Sequence, residues 1–309
     1  MSESDKLTEL RWKKFPVLDD GFVCLVDAMG SDDAICDAAR VSYGAGTRKT
    51  SKNPELIDYL MRHQHMSPFE MAELKFLVRV PMDVWRQWVR HRTASINEYS
   101  TRYSEAIDSM VKTDPTKWRK QSKTNKQGSD TEFLSEDVGK ELSAEEAALH
   151  EQIRSFYQKC LDLGVAREQA RKNLPLCTYT EAYWKCDLRN ILHFMTLRTD
   201  VHAQEEIRQY ATVISYIVSN LFPLTWMAWC RHCSDSVTFS VEEWKLIQRL
   251  PILHPELTMP KLKEMVDGIY TAPDYKPWND ENPRKRDEFL TKMLKLGVDD
   301  KPWEPPAFL

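Results

Sequence analysis

The chain has 309 residues, enough for one large domain or two of ordinary size. Its 43 Lys and Arg against 47 Asp and Glu leave a net charge of −4, which argues against a general nucleic-acid coat and against a disordered acidic tail. Nine glycines fall well below the usual share of about 7%. With neither G-x-G-x-x-G nor G-x-x-x-x-G-K-[ST] present, a Rossmann dehydrogenase or P-loop NTPase is not expected.

Met1–Lys6 is charged and lacks an apolar run, so no secretory signal is expected. The apolar stretch Tyr216–Cys230 is too short to span a bilayer and contains Asn220 and Pro223. Seven cysteines without a regular framework suit a reducing compartment, and the expected location is cytoplasmic. Cys230 and Cys233 form a lone C-x-x-C. Structural zinc wants four ligands, so buried helix cysteines and no metal are expected there.

In chain order, residues 21–29 read as a strand, and residues 71–80 alternate like a second one. Between them Asn53-Pro54-Glu55 opens a helix reaching about residue 63, with Asn53 as N-cap. A helix over 82–91 follows Pro81, and 95–103 reads as a strand. Residues 110–140 break the pattern and read as an exposed, inserted loop; Lys112–Lys126 holds six basic residues against Asp114 alone. Ser143-Ala144-Glu145-Glu146 reads as a capping box opening a helix over 144–163, which Gly164 ends. Further helices are expected at 166–173, 180–198 and 203–221. Nine prolines between 251 and 306 suggest that 235–309 is a helical extension of short segments packed on a core spanning 1–234.

The densest chemistry lies between 85 and 104. On the expected helix Val84, Trp85, Trp88 and Val89 form an apolar stripe, while Gln87, Arg90 and His91 share the other face. On the expected strand Glu98, Ser100 and Arg102 share one face. Arginine forks suit phosphate and carboxylate, and Gln, Ser and Glu can read the edges of a base or sugar. The segment therefore suits a phosphorylated nucleotide; the competing reading is a solvated face with ordinary ion pairs. On 180–198, Leu188, Ile191, Leu192 and Met195 form a buried stripe that Arg198 continues. An arginine there needs a partner or a ligand, because an unpaired buried charge is costly.

Arg90-His91-Arg92, seven residues and then Ser100 resemble the signature of the flavin-dependent thymidylate synthases. Arg86-Gln87-Trp88, Asn97-Glu98 and Arg102-Tyr103-Ser104 extend the likeness. Ala39-Arg40-Val41-Ser42 is similar to an early strand-to-loop element of that family, and His65-Met66-Ser67-Pro68-Phe69-Glu70 to its H-x-[TS]-P-F-E segment. Arg171 ahead of Leu174-Pro175-Leu176, then Asp187-Leu188-Arg189, His193-Phe194, Leu197-Arg198, His202-Ala203-Gln204 and Ile207-Arg208, carry the likeness through most of residues 20–230. Asp187 stands where many members have Asn, and Ser67 where Thr is common.

The resemblance implies an α+β fold, a curved antiparallel sheet with long helices. It implies conversion of dUMP to dTMP with methylenetetrahydrofolate, FAD and a reduced nicotinamide, taken as NADPH, in a homotetramer with shared active sites. By position, dUMP would be held by Gln87, Arg90, Glu98, Tyr99, Ser100, Arg102, Arg171 and Arg198. FAD would be held by Ser67, Arg90, His91, Arg92, Glu98, Asp187, Arg189 and His193. Arg198 would lie against the uracil and favour its electron-rich, N3-deprotonated form through its charge. Ser100 is expected to bind rather than attack, and Cys177, despite a superficial likeness to the nucleophile of the other thymidylate synthase class, is not expected to react. No membrane or nucleic-acid partner is expected. Two rivals remain open: a related flavoenzyme acting at C5 of a pyrimidine nucleotide, and a non-catalytic nucleic-acid binder using Lys112–Lys126.

Overall fold

The computed structural model describes residues 3–42, 52–123 and 128–239. The chain divides into two units, Met1–Ser236 and Val237–Leu309. The expected helical extension therefore lies, beyond residue 239, outside the described residues.

The first unit is built on a five-stranded antiparallel sheet in the order β1-β2-β3-β7-β4. Its strands are β1 (Lys14–Val17), β2 (Gly21–Met29), β3 (Glu73–Pro81), β4 (Ser95–Glu98) and β7 (Tyr179–Asp187). Alternation decides the faces. Leu74, Phe76, Val78 and Val80 of β3 are buried beside Thr180, Ala182, Trp184 and Cys186 of β7. The register sets Phe76 opposite Trp184, with the rings 5.9 Å apart. The α+β arrangement expected from the resemblance is present.

The reading of 180–198 as one helix is wrong in its first half. Residues through Asp187 form β7, and only α7 (Leu188–Arg198) is helical. Tyr, Thr, Tyr and Trp favour a pleated surface, and the burial has a period of two. Asp187 makes the switch: its Oδ1 accepts the Asn190 amide at 3.0 Å and caps α7.

Other boundaries moved for local reasons. Ala39–Val41 end a helix, α2 (Asp32–Val41), rather than a strand; Ser31 Oγ accepts the Ala34 amide and two aspartates fill the first turn. The helix read from 144 is α5 (Glu136–Asp162), begun two turns earlier. Ser143 is thus no cap; its hydroxyl accepts from Trp118 Nε1 and donates to the Thr113 carbonyl. Gly164 does end that helix, at φ +77°, with the Val165 amide reaching back to the Cys160 carbonyl. The inserted loop contains a hairpin, β5 (Arg119–Gln121) with β6 (Ser129–Phe133). The helix read over 166–173 is a short α6 (Arg167–Ala170) followed by a 3₁₀ turn, Arg171–Asn173.

Helices α1 (Glu3–Leu10), α3 (Asn53–Arg62), α4 (Met82–Trp88), α8 (Glu205–Leu221) and α9 (Pro223–Trp229) complete the described elements, with a π turn at Cys230–Ser234. An aromatic core ties them together. Trp88 of α4 lies 4.8 Å from Phe194 of α7, 5.4 Å from Trp184 and 5.8 Å from Tyr210 of α8, ring centre to ring centre. Gly21 lets α8 approach the sheet: a Cβ there would overlap the Tyr210 hydroxyl and lie 2.7 Å from the Val17 carbonyl oxygen. Asp32, 3% exposed, accepts the Leu224 and Thr225 amides and the Thr225 hydroxyl, pinning α2 to the start of α9. No helix among the described residues is long and apolar enough to cross a membrane.

Candidate active site

Trp88 closes α4 inside the aromatic core, and the chain then turns outward. The helix stops there, with Val89 as C-cap, so Arg90 and His91 leave the shared helix face expected for them with Gln87. The His91 amide bonds back to the Trp88 carbonyl, and the His91 ring packs 4.9 Å from Phe194. Arg90, His91, Arg92 and Thr93 form one wall of a cleft of about 560 Å³. A second wall is one face of α7, where Arg189, Asn190, Leu192, His193 and Thr196 recur at helical spacing. Met61, Gln64 and Met66 face them together with Trp229 and Cys233.

Five of the eight residues expected for FAD thus meet: Arg90, His91, Arg92, Arg189 and His193. The other three lie outside the lining. Ser67 is exposed and opens the 3₁₀ turn Ser67–Met71, whose Glu70 pairs with Arg189 at 3.2 Å. Asp187 caps α7. Glu98 accepts from Trp85 Nε1 at 3.0 Å and from the Thr180 hydroxyl at 2.9 Å. Among the described residues Arg90 and Arg92 make no ion pair, so their forks stay open at the cleft. That donor set fits the pyrophosphate of a dinucleotide.

Arg198, at the end of α7, is not among the cleft's lining residues but bonds to one of them, His91. Its Nε donates to His91 Nε2 at 3.1 Å, and its Nη2 to the Gln87 carbonyl at 3.3 Å. Burial lowers its affinity for the proton, and no carboxylate pairs with it among the described residues. Burial, then Arg198, then His193 hold His91 down to about 4. The ring is therefore neutral near pH 7. It orients the guanidinium without cancelling its charge, as a carboxylate would.

The expected strand through 103 ends at Glu98, so Glu98, Ser100 and Arg102 do not share a strand face. The last ladder bond runs from the Tyr99 amide to the Glu181 carbonyl, and the Ser100 carbonyl then captures the Tyr103 and Ser104 amides in a turn. The Tyr99 hydroxyl donates to the Glu105 carbonyl. Arg171 holds this turn through the Thr101 hydroxyl at 2.8 Å, and Arg102 pairs with Glu168 at 3.3 Å. Ser100, Arg102 and Arg171 thus form a second group. Among the described residues no hydrogen bond or ion pair joins it to Arg198 or His91.

Cys177 touches His150 Nε2 at 3.3 Å, but burial pushes its thiol up to about 11, so it is no thiolate at neutral pH. Among the described residues no three His, Cys, Asp or Glu side chains cluster to hold a metal. In the basic stretch, Arg119 pairs with Glu205 and Glu206, and Lys120 with Glu132. Residues 124–127 lie outside the described residues. Sequence reasoning gave no role to Met61, Gln64, Met66, Trp229 or Cys233 of the lining; Met66 sits inside the His65–Glu70 segment, while the others carried no signal toward the site. Asn190 and Thr196 were legible, since they flank Arg189 and His193 on one helical face.

A cleft lined by arginines and imidazoles beside an antiparallel sheet has donors suited to a phosphorylated ligand, and the comparisons identify the class of protein. The family model described as thymidylate synthase complementing protein matches residues 24–224. A flavin-dependent thymidylate synthase of Thermus thermophilus is 49% identical over 242 residues, 78% of this chain and 87% of the relative. One of Wolbachia pipientis is 46% identical over 256 residues, 81% and 90% of the two chains. Among solved structures, a UMP/dUMP methylase from Streptomyces cacaoi bound with 5-Br dUMP superposes with a TM-score of 0.64 at 34% identity, covering 71% of this chain and 98% of that one. The chain belongs to the flavin-dependent thymidylate synthase family and is an enzyme.

Proposed function

We propose that this enzyme methylates dUMP at C5, giving dTMP, with methylenetetrahydrofolate as one-carbon donor and NADPH as reductant. One observation carries the reading: a half-buried Arg198 guanidinium held by a neutral imidazole and a backbone carbonyl, with no carboxylate paired to it among the described residues. Such a cation stabilises the electron-rich, N3-deprotonated uracil, which raises the nucleophilicity of C5 without a cysteine adduct. The near-pH-11 thiol of Cys177 supports the same reading.

FAD, when bound, supplies the redox chemistry between nicotinamide and the one-carbon unit. The open forks of Arg90 and Arg92 and the cleft face of Arg189 and His193 would hold it. Asp187 serves by capping the helix that carries Arg189, and Glu98 by bracing α4 against β7. Gln87 and Arg198 hold the pyrimidine. Ser100, Arg102 and Arg171, with Tyr99 beside them, bind the nucleotide's phosphate and sugar from a neighbouring subunit of a homotetramer. That division supports a shared site, because the two groups are separately braced within one chain.

The test is a purified protein assayed for flavin absorbance and for nicotinamide-dependent tritium release from 5-tritiated dUMP, with UMP in parallel. Release from dUMP with methylenetetrahydrofolate is the expected result. A protein that cannot be loaded with FAD, or that releases tritium from UMP alone, overturns the proposal.

A further inference from the structure

The inserted segment between β4 and α5 meets the catalytic half of the chain at a polar junction. Arg119 of β5 donates Nη1 to Glu205 at 2.7 Å and Nη2 to Glu206 at 2.5 Å. Both carboxylates lie in the first turn of α8. Gln204, the residue just before that helix, donates to Asp83 at 3.4 Å, and its oxygen accepts from Gln87 Nε2. The Gln87 carbonyl in turn accepts from Arg198. The insert thus grips Glu205 and Glu206, which follow Gln204 directly in the chain, and Gln204 in turn bonds to the Gln87 side chain beside Arg198.

The insert end of this junction is itself fixed. Trp118, beside Arg119, donates to Ser143 of α5, and that hydroxyl donates to the Thr113 carbonyl. Thr113 is held twice by Glu146. At the other end, charge makes Arg119 necessary. Burial would raise the Glu206 carboxyl, yet its own amide, Gln204 and Arg119 hold it below its usual range. Asp83 is pushed up by burial, and the Glu206 charge adds to that. Without Arg119, Glu205 and Glu206 would lose the cation that pairs with both, while Glu206 still acts on Asp83, and like charges repel.

We infer that Arg119 is a positioning residue for nucleotide binding: by clamping Glu205 and Glu206 it holds Gln204 against Gln87 and so sets the Gln87–Arg198 pair. The inference rests on the proposal that this pair holds dUMP. It gives the insert a role in substrate affinity while leaving the flavin cleft untouched.

The experiment is a double-mutant cycle on the FAD-loaded full chain, read as dUMP KM, kcat and flavin content. Arg119→Ala is expected to raise the dUMP KM roughly tenfold, with flavin content unchanged and kcat lowered less. Adding Arg119→Ala to Gln87→Ala should raise KM by no more than about twofold further, because both act through one contact. Arg119→Lys should recover part of the loss. Should Arg119→Ala not fold, Gln204→Ala takes its place in the cycle under the same criterion. Fold-changes that multiply, or a loss of flavin in step with dUMP affinity, overturn the inference while a dUMP-active wild type keeps the proposed function intact. A wild type without dUMP-dependent turnover overturns both.

Discussion

Arg198 and His91 show how one contact sets the chemistry of a site. A guanidinium opposite a carboxylate would be half spent before substrate arrived. Opposite a neutral ring nitrogen it is aimed and still charged. Arg198→Ala should therefore lower kcat/KM by about 10²–10³-fold while flavin stays bound, the loss expected for the electrostatic role proposed for it; steady-state kinetics alongside the flavin spectrum check this. His91 adds a pH dependence whose sign follows from its lowered value of about 4 against 6.5. Above pH 6.5 neither the folded nor the unfolded ring is charged, so His91 contributes no slope. From 6.5 down to about 4 the unfolded chain takes up a proton that the folded one refuses, and stability falls. Below about 4 both forms are protonated, the loss levels off, and Arg198 Nε loses its acceptor. A His91 ring seen by NMR to titrate near 6.5 in the folded protein would contradict this.

Elements are placed by a few contacts that span long stretches of chain. Asp32 satisfies two amides and a hydroxyl at the start of α9, nearly two hundred residues away. Asp32→Ala leaves those donors buried and unpaired, so a loss of about 3 kcal/mol is expected by urea unfolding. Because α9 carries Trp229 into the cleft wall, FAD affinity should weaken as well. Gly21→Ala forces a methyl into the Tyr210 hydroxyl and the Val17 carbonyl. A cost of about 2 kcal/mol is expected, with a fall in Tm of roughly 4–8 °C. Local signals were good where residue type and periodicity agreed, as at β2, β3, the span of α3 and the Gly164 stop; the cap of α3 was misread, since Lys52 is the N-cap and the Asn53 side chain bonds to Arg40 and Asp33 instead. They failed at β7, where the buried positions Ala182, Trp184 and Cys186 continue directly into the apolar stripe of α7. Only pairing with β3 and β4 shows where the period changes from two to 3.6. They failed again at Glu98–Arg102, where β7 runs on to Tyr179 but the chain leaves it after Tyr99 for the Ser100 turn, and the Arg171 that braces that turn is seventy residues away.

At the scale of the molecule, a single chain brings the cleft residues together and braces Ser100, Arg102 and Arg171 elsewhere. If the site is completed between subunits, variants lesioned in different groups should complement. Arg171→Ala and Arg198→Ala, each nearly inactive alone, should recover roughly a quarter of wild-type activity when unfolded and refolded as an equal mixture, the share of sites drawing both intact arginines. A mixture no more active than its parts would place each site within one chain. The sequence by itself determined the family signature, the side-chain types of the proposed nucleotide site and the absence of both glycine-rich phosphate motifs, because these depend on residue type and short spacing alone. Tertiary structure decided that His91 is neutral, that Arg198 meets an imidazole and a backbone carbonyl, that Ser143 and Asp187 serve the scaffold, and that Arg119 reaches α8. Charge state and partnership depend on burial and on what the distant chain supplies, and neither is written in local order.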